Sequence, residues 1–248
     1  MSFHEHVAAW SRPPVDDVGY ISSADMLGWS DTYLMDTIKD MSHTRYTGWR
    51  NHNGLWREML GLDLSGRNVL EYGCGVGMEA AELARAGNHV SIADISAANV
   101  HLATRVINLT GGITYAAFMV TEEWPFFNCR EAVFDVVNCS GVLHHIRKAR
   151  LTMERFHEVL KAGGQVRLML YSDEGWRLFA GTEPPPEPVD QDPGFTKFVR
   201  AFDEVGDYAT WYDADKIEHM YGDLFRLERF EYLTSNRQYC AAILTRKD

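Results

Sequence analysis

The chain has 248 residues, enough for one α/β domain with a sizeable core, and 46% hydrophobic with 24% charged residues excludes a disordered or fibrous protein. A formal net charge of -11 without a dense Lys/Arg run argues against binding nucleic acid through its phosphates. No basic-then-apolar leader opens the chain, and no run of about 18 apolar residues occurs, so neither a signal peptide nor a membrane span is expected. Cys74, Cys129, Cys139 and Cys240 form no C-x-x-C pair and have no histidine at zinc-like spacing. They read as reduced thiols in a cytoplasmic protein, with no metal site expected.

In chain order, residues 1–66 are rich in aromatics, His, Asp and Met, with short helical patterns. NVLEYG then reads as a buried strand, and MEAAELARAG as a helix ended by Gly87. HVSIAD is a second strand. Val100, Ala103 and Ile107, with Leu102, Val106 and Leu109, give helical spacing that stops at Gly111-Gly112. ITYAAFMV and VFDVVNCS are further strands. Ala149, Met153, Phe156 and Leu160 share a helix face, Ala162-Gly163-Gly164 makes a turn, and QVRLMLY is a fifth strand. An irregular stretch, EPPPEPVDQDPG, precedes a helix, DADKIEHMYG, and two strands, FRLERFEYLT and QYCAAILT, expected as antiparallel neighbours. Alternation of strand and helix at this spacing predicts a parallel sheet with right-handed crossovers and helices on both faces.

The sharpest signal is VLEYGCGVGMEAAELA, where Gly73, Gly75 and Gly77 lie between a strand and a helix. Glycine permits positive φ and lets a ligand approach the backbone. The dinucleotide pattern G-x-G-x-x-G needs Gly at position 78, which is Met78, and no Walker Gly-Lys-Ser/Thr follows. The loop instead reads acidic-x-G-x-G-x-G, with Glu71 in front. A carboxylate there opposes a pyrophosphate but suits a ligand carrying an ammonium or sulfonium. Asp94, at the end of HVSIAD, can accept from both hydroxyls of a ribose. Taken alone it also fits an N-cap for the helix that follows.

These motifs, with FDVVNCSGVLHHI and VLKAGGQVRLMLY in the same order, resemble the class I S-adenosylmethionine-dependent methyltransferases, in the large group acting mostly on small molecules. The resemblance is strong over residues 66–171 and weaker in the tail. It implies a Rossmann-like α/β fold: a mostly parallel seven-stranded sheet with one antiparallel strand near an edge, and helices on both faces. Residues 1–60 would form an N-terminal helical cap. Residues 61–248 would bind S-adenosylmethionine, with an insertion at 172–212. By the same resemblance Glu71, Gly73, Cys74 and Gly75 surround the methionine moiety, Asp94 holds the ribose and Ile95 packs on adenine. Cys139 or Ser140 would sit near the transferred methyl. The family's usual adenine-binding Asp is replaced by Val120, which puts the adenine contact on backbone near Thr121 and Glu122. In the segment before the first strand, Tyr46, Arg45 and Arg50 are candidates for the cofactor carboxylate.

Methyl transfer needs alignment and desolvation, and a base only when the acceptor must lose a proton. His144 and His145 are candidates for that base or for acceptor contact, beside the plainer reading of packed scaffold histidines. Tyr171 is a candidate acceptor contact, in a stretch whose aromatics otherwise read as packing for the insertion. The expected partner is a small-molecule acceptor, with no nucleic acid and no membrane, and a homodimer stays open. Three other readings stand beside methyl transfer: a lyase or cyclase using S-adenosylmethionine itself, a protein or peptide methyltransferase, and a non-catalytic cofactor-binding subunit.

Overall fold

The computed structural model describes residues 3–15, 19–47, 54–120, 132–186, 193–202 and 208–248. The N-terminal part contributes α1 (Phe3–Trp10), the short strands β1 (Pro14–Val15) and β2 (Gly19–Tyr20), then α2 (Ser23–Leu27), α3 (Asp31–Thr47) and α4 (Leu55–Leu60). The alternating region follows as β3 (Asn68–Tyr72), α5 (Met78–Arg85), β4 (His89–Asp94), α6 (Ala97–Leu109), β5 (Thr114–Met119) and β6 (Phe134–Ser140). A single 3-10 turn, Leu143–His145, leads to α7 (Ala149–Val159) and β7 (Leu160–Tyr171). The remainder is α8 (Asp173–Ala180), α9 (Pro193–Phe202), α10 (Ala214–Tyr221), β8 (Phe225–Tyr232) and β9 (Tyr239–Arg246).

Seven strands form one sheet in the order β5-β4-β3-β6-β7-β9-β8. The pairs β4–β5, β3–β4, β3–β6 and β6–β7 are parallel. β9 is antiparallel to both β7 and β8, so it is the one reversed strand, next to an edge, as expected. Side chains alternate between the two faces because a strand has a period of two. Val69 and Val136 enter a core with α5, α6 and the N-terminal helices, while Leu70 and Val137 enter the other with α7 and α10. Strand order runs outward from β3 through β4 to β5, then resumes on the opposite side with β6. That reversal opens a crevice beyond the carboxyl ends of β3, β4 and β6, where ligands bind in such sheets.

The stretch after β7 builds a small core of its own, with Trp176, Phe195, Phe198, Val199 and Trp211. Its two ends are pinned together, since Ser172 and Tyr212 bridge in parallel and the Tyr212 amide donates to Tyr171 O at 2.9 Å. One boundary differs from the sequence reading. Leu160 already pairs with Phe134, and Gln165 with Val136, so residues 161–164 bulge out opposite Asp135 inside a single strand. Asp135 holds the bulge: it accepts from Lys161 Nζ at 2.8 Å and from the Asn68 amide at 2.8 Å. Those partners hold its carboxyl below the ordinary range, although partial burial pushes the other way. Among the described residues no helix is long and apolar enough to cross a membrane.

Candidate functional site

The three loop glycines all take positive φ, but for different reasons. A Cβ on Gly73 would overlap Val142, and one on Gly77 would lie 2.5 Å from Ala103 Cα on α6. Both serve close packing. A Cβ on Gly75 would meet nothing within 4 Å, and this glycine faces a cavity of about 260 Å³. The loop amides are already engaged. Gly73 and Cys74 donate to Ala93 O, Gly77 donates to Cys74 O at 2.7 Å, and Gly75 donates to Asp94 Oδ2 at 3.0 Å. These four donors are spent inside the protein and do not contribute to a phosphate cradle of the kind built from free amides.

Asp94 ends β4 and lines the same cavity, 4% exposed. Its Oδ1 accepts from the Ser96 amide at 2.8 Å and from Asn99 Nδ2 at 3.0 Å. It does not cap α6: Ser96 is the N-cap, accepting from the Asn99 amide. Burial raises the Asp94 carboxyl from 3.8 to about 6, against the pull of its amide and Asn99 donors. Ile95, Val120 and Asn99 line the cavity beside it.

The opposite side of the loop is charged. Arg45 and Met41, one helical turn apart on α3, both reach the cavity. Arg45 Nη1 donates to Glu79 Oε1 at 2.6 Å, and the two side chains are 14% and 10% exposed. Glu71 lies behind this pair, buried, with its Oε2 accepting from Asn138 Nδ2 at 2.8 Å. Burial, reinforced by the charge of Glu79, holds Glu71 well above the ordinary carboxylate range. Tyr46 turns away from the cavity into the core, where the Arg57 guanidinium sits 5.3 Å from its ring centre.

The two histidines separate. His145 lines the cavity, its ring 4.5 Å from that of Trp10, and its Nδ1–H donates to Tyr208 O at 2.9 Å. That bond leaves the lone pair on Nε2. His144 is fully buried and lies behind Tyr171, whose ring stacks on it at 3.7 Å. Burial, with His145 adding to it, drives His144 well below its ordinary value, so it is neutral. Its Nδ1 accepts from the Tyr171 amide at 3.3 Å, which puts the proton on Nε2. Tyr171 lines the cavity, sandwiched between His144 and Phe202 at 3.9 Å.

Of the residues singled out from sequence, Gly73, Cys74, Gly75, Asp94, Ile95, Ser140, His145, Tyr171 and Arg45 meet at one cavity. Glu71, Cys139, His144 and Tyr46 stand behind its wall. Arg50, Thr121, Glu122 and Cys129 lie outside the described residues. Sequence reasoning missed Trp10, Glu79 and Asn99. Glu79 carried a faint signal, an acid just inside the helix that follows the glycine loop. Trp10 carried none, because it reaches the site from a distant part of the chain.

A family model described as a methyltransferase domain matches residues 43–237. The chain belongs to the methyltransferase domain family. The methyltransferase domain thus runs from within α3 to the turn between β8 and β9. Over 110 residues the chain is 32% identical to a ubiquinone biosynthesis O-methyltransferase of Pseudomonas aeruginosa (strain UCBPP-PA14), a match covering 42% of this chain and 44% of that one. It therefore spans less than half the length of this curated relative. Among solved structures, the N-methyltransferase NodS from Bradyrhizobium japonicum, in complex with S-adenosyl-l-homocysteine, superposes with a TM-score of 0.55 at 14% identity, covering 91% of this chain and 97% of that one. The cyclase SpnF superposes with a TM-score of 0.57 at 17% identity, covering 78% and 79%. These two likenesses concern the fold, and the pair shows that one methyltransferase-type fold carries different chemistries.

Proposed function

We propose that this methyltransferase-family chain binds S-adenosylmethionine in the cavity and transfers its methyl group to a small organic acceptor. The observation that carries the reading is the glycine loop: Gly75 leaves open space beside Asp94 while the amides of Gly73, Cys74, Gly75 and Gly77 are engaged within the protein. At these four positions an anionic pyrophosphate meets no free amide. A ribose with a positively charged tail finds a carboxylate for its hydroxyls and an acidic flank for its charge. Asp94 holds the ribose, and Ile95 with Val120 packs the adenine. Gly73, Cys74 and Gly75 border the methionine portion with Glu71 behind them, while Glu79 supplies negative charge and its partner Arg45 faces the methionine carboxylate. S-adenosylmethionine, when bound, supplies a methyl group already activated by its sulfonium.

The chain's own residues then exclude water and orient the acceptor. Tyr171 and Trp10 form aromatic walls, and Ser140 lies at the carboxyl end of β6. His145, fixed by Tyr208 as the tautomer with a basic Nε2, takes the acceptor's proton where one must leave. Residues 1–60 act as the cap, residues 61–248 carry the cofactor site, and 172–212 encloses the acceptor. A cytoplasmic location goes with this reading, supported by the buried free thiols of Cys74, Cys139 and Cys240.

The test is calorimetric titration with S-adenosylmethionine and S-adenosylhomocysteine, followed by a screen of small hydroxylated and amino acceptors with product analysis. Release of S-adenosylhomocysteine with a methylated acceptor supports the reading. Formation of methylthioadenosine instead would replace it with a lyase or cyclase.

A further inference from the structure

Asn99 joins two parts of the site that lie far apart in sequence. Its Nδ2 donates to Asp94 Oδ1 at 3.0 Å and to Trp10 O at 2.9 Å. Its Oδ1 accepts from Ser23 Oγ at 2.6 Å. Three of the four hydrogen bonds the amide can make, including both donors, are used inside the protein, and the residue is only 2% exposed. A parallel link runs alongside. Ser11 Oγ meets Ser96 Oγ at 2.7 Å, Ser96 caps the helix that carries Asn99, and the Ser23 amide donates to Ser11 O at 2.9 Å. The end of α1 is thus tied to the β4–α6 corner. The Trp10 ring, carried by that tied backbone, packs on His145 at the other end of the cavity.

We propose that Asn99 is a positioning residue that couples occupation of the Asp94 side of the cavity to closure of the N-terminal segment over His145. This inference rests on the cofactor reading above and adds to it a route between the two ends of the site. The physical reason is that one rigid amide group serves both acceptors, one N–H to each. With Asp94 ionised and holding ribose hydroxyls, Oδ1 fixes one N–H of Asn99, and the other N–H is left aimed at Trp10 O. A charged acceptor holds its donor more firmly than a neutral one, so the carboxylate orders the amide and the amide orders the lid. Buried networks of this kind lose more than one bond when a member is removed.

Asp94 is faced from the glycine loop by the Cys74 thiol, which burial keeps neutral, and by the Gly75 amide. From β4 and α6 it is faced by the amides of Ile95 and Ser96 and by Asn99. Among the described residues, His6, His145, Arg45, Glu79, Tyr72, Tyr171 and Tyr239 are the other titratable groups that line the same cavity. Since the Asn99 donor favours the ionised form, its loss moves the Asp94 midpoint upward. A role in packing alone predicts no such movement.

The experiment compares the full chain with Asn99→Leu and with the milder Ser23→Ala, which removes only the donor that orients the amide. Amide hydrogen exchange of residues 3–15 and of the glycine loop is followed with and without S-adenosylhomocysteine, and affinity is titrated across pH. In the native chain the ligand should slow exchange in both regions by roughly tenfold or more. In Asn99→Leu, protection of the glycine loop should persist while that of residues 3–15 is lost, with the pH midpoint of binding displaced upward. Ser23→Ala should show a partial loss, and it decides the matter should Asn99→Leu fail to fold. Native-like protection of residues 3–15 in the folded variants overturns the coupling and leaves the cofactor reading standing. Failure of the native chain to bind the ligand overturns the cofactor reading, and the coupling with it.

Discussion

The amide of Gly75 donates to Asp94 Oδ2 at 3.0 Å, so the glycine loop and the end of β4 form one unit before any ligand arrives. The carboxylate that is proposed to bind ribose also sets the position of the loop beside it. A change at Asp94 therefore acts twice, on the ligand and on the loop.

Asp94→Ala should weaken S-adenosylhomocysteine binding by about ten- to a hundredfold, the scale of one or two hydrogen bonds to a charged group. Asp94→Asn should lose less, because the amide oxygen can still accept. Calorimetry on folded protein measures both. Unchanged affinity in Asp94→Ala would remove ribose from that position.

Binding should depend on pH through the same group. Its carboxyl sits at about 6 in the folded chain, and hydroxyl donors favour the ionised form. Affinity should therefore rise as pH rises through about 6, with a proton released on binding below that point. The sign for unliganded stability is opposite. A carboxyl raised from 3.8 to about 6 contributes stability that is full below 3.8 and is lost as pH rises through about 6. Titrations in buffers of different ionisation enthalpy count the protons. A flat affinity across this range would assign the titration elsewhere.

Gly75→Ala and Gly77→Ala should fail in different ways. Both positions have positive φ, which costs an L-residue about 1–2 kcal/mol. At Gly77 the new methyl also meets Ala103 at 2.5 Å, so α5 and α6 must part, adding about 1–3 kcal/mol of overpacking. Gly75→Ala should keep most of its stability yet lose ligand affinity, because its methyl enters the cavity. Thermal melts and calorimetry on the pair separate the outcomes. Equal melting temperatures for the two would contradict the packing role of Gly77.

His145 and His144 should differ although they are adjacent. His145→Gln should reduce turnover of a protic acceptor by roughly 10²- to 10⁴-fold, the usual contribution of a positioned base. His144→Phe should act on stability, by about 1 kcal/mol for the lost bond from the Tyr171 amide. Initial rates and melting curves check this. Full turnover in His145→Gln would show that the acceptor needs no base from this chain.

The sequence by itself determined what depends on local backbone conformation and periodicity. Positive φ at Gly73, Gly75 and Gly77 favours glycine, so the loop was legible as a motif. The strands from Asn68 to Tyr171 are legible as short, mostly apolar runs between helices of period 3.6, and Asp94 is legible from its place at a strand end. Even there, Ala162-Gly163-Gly164 reads as a turn in the sequence, because what makes it part of a bulge inside one strand is pairing with β6.

Only the tertiary structure decided which face each element turns inward. Arg45 and Tyr46 are about 100° apart around α3, and packing alone sends the first to the cavity and the second to the core. His144 and His145 share a sequence context, yet one sits beneath Tyr171 and the other beside Trp10. Trp10 and Asn99 are 89 residues apart, and nothing near either one announces the other. Long-range pairing of this kind depends on how helices pack on the sheet, and spacing along the chain carries no record of it.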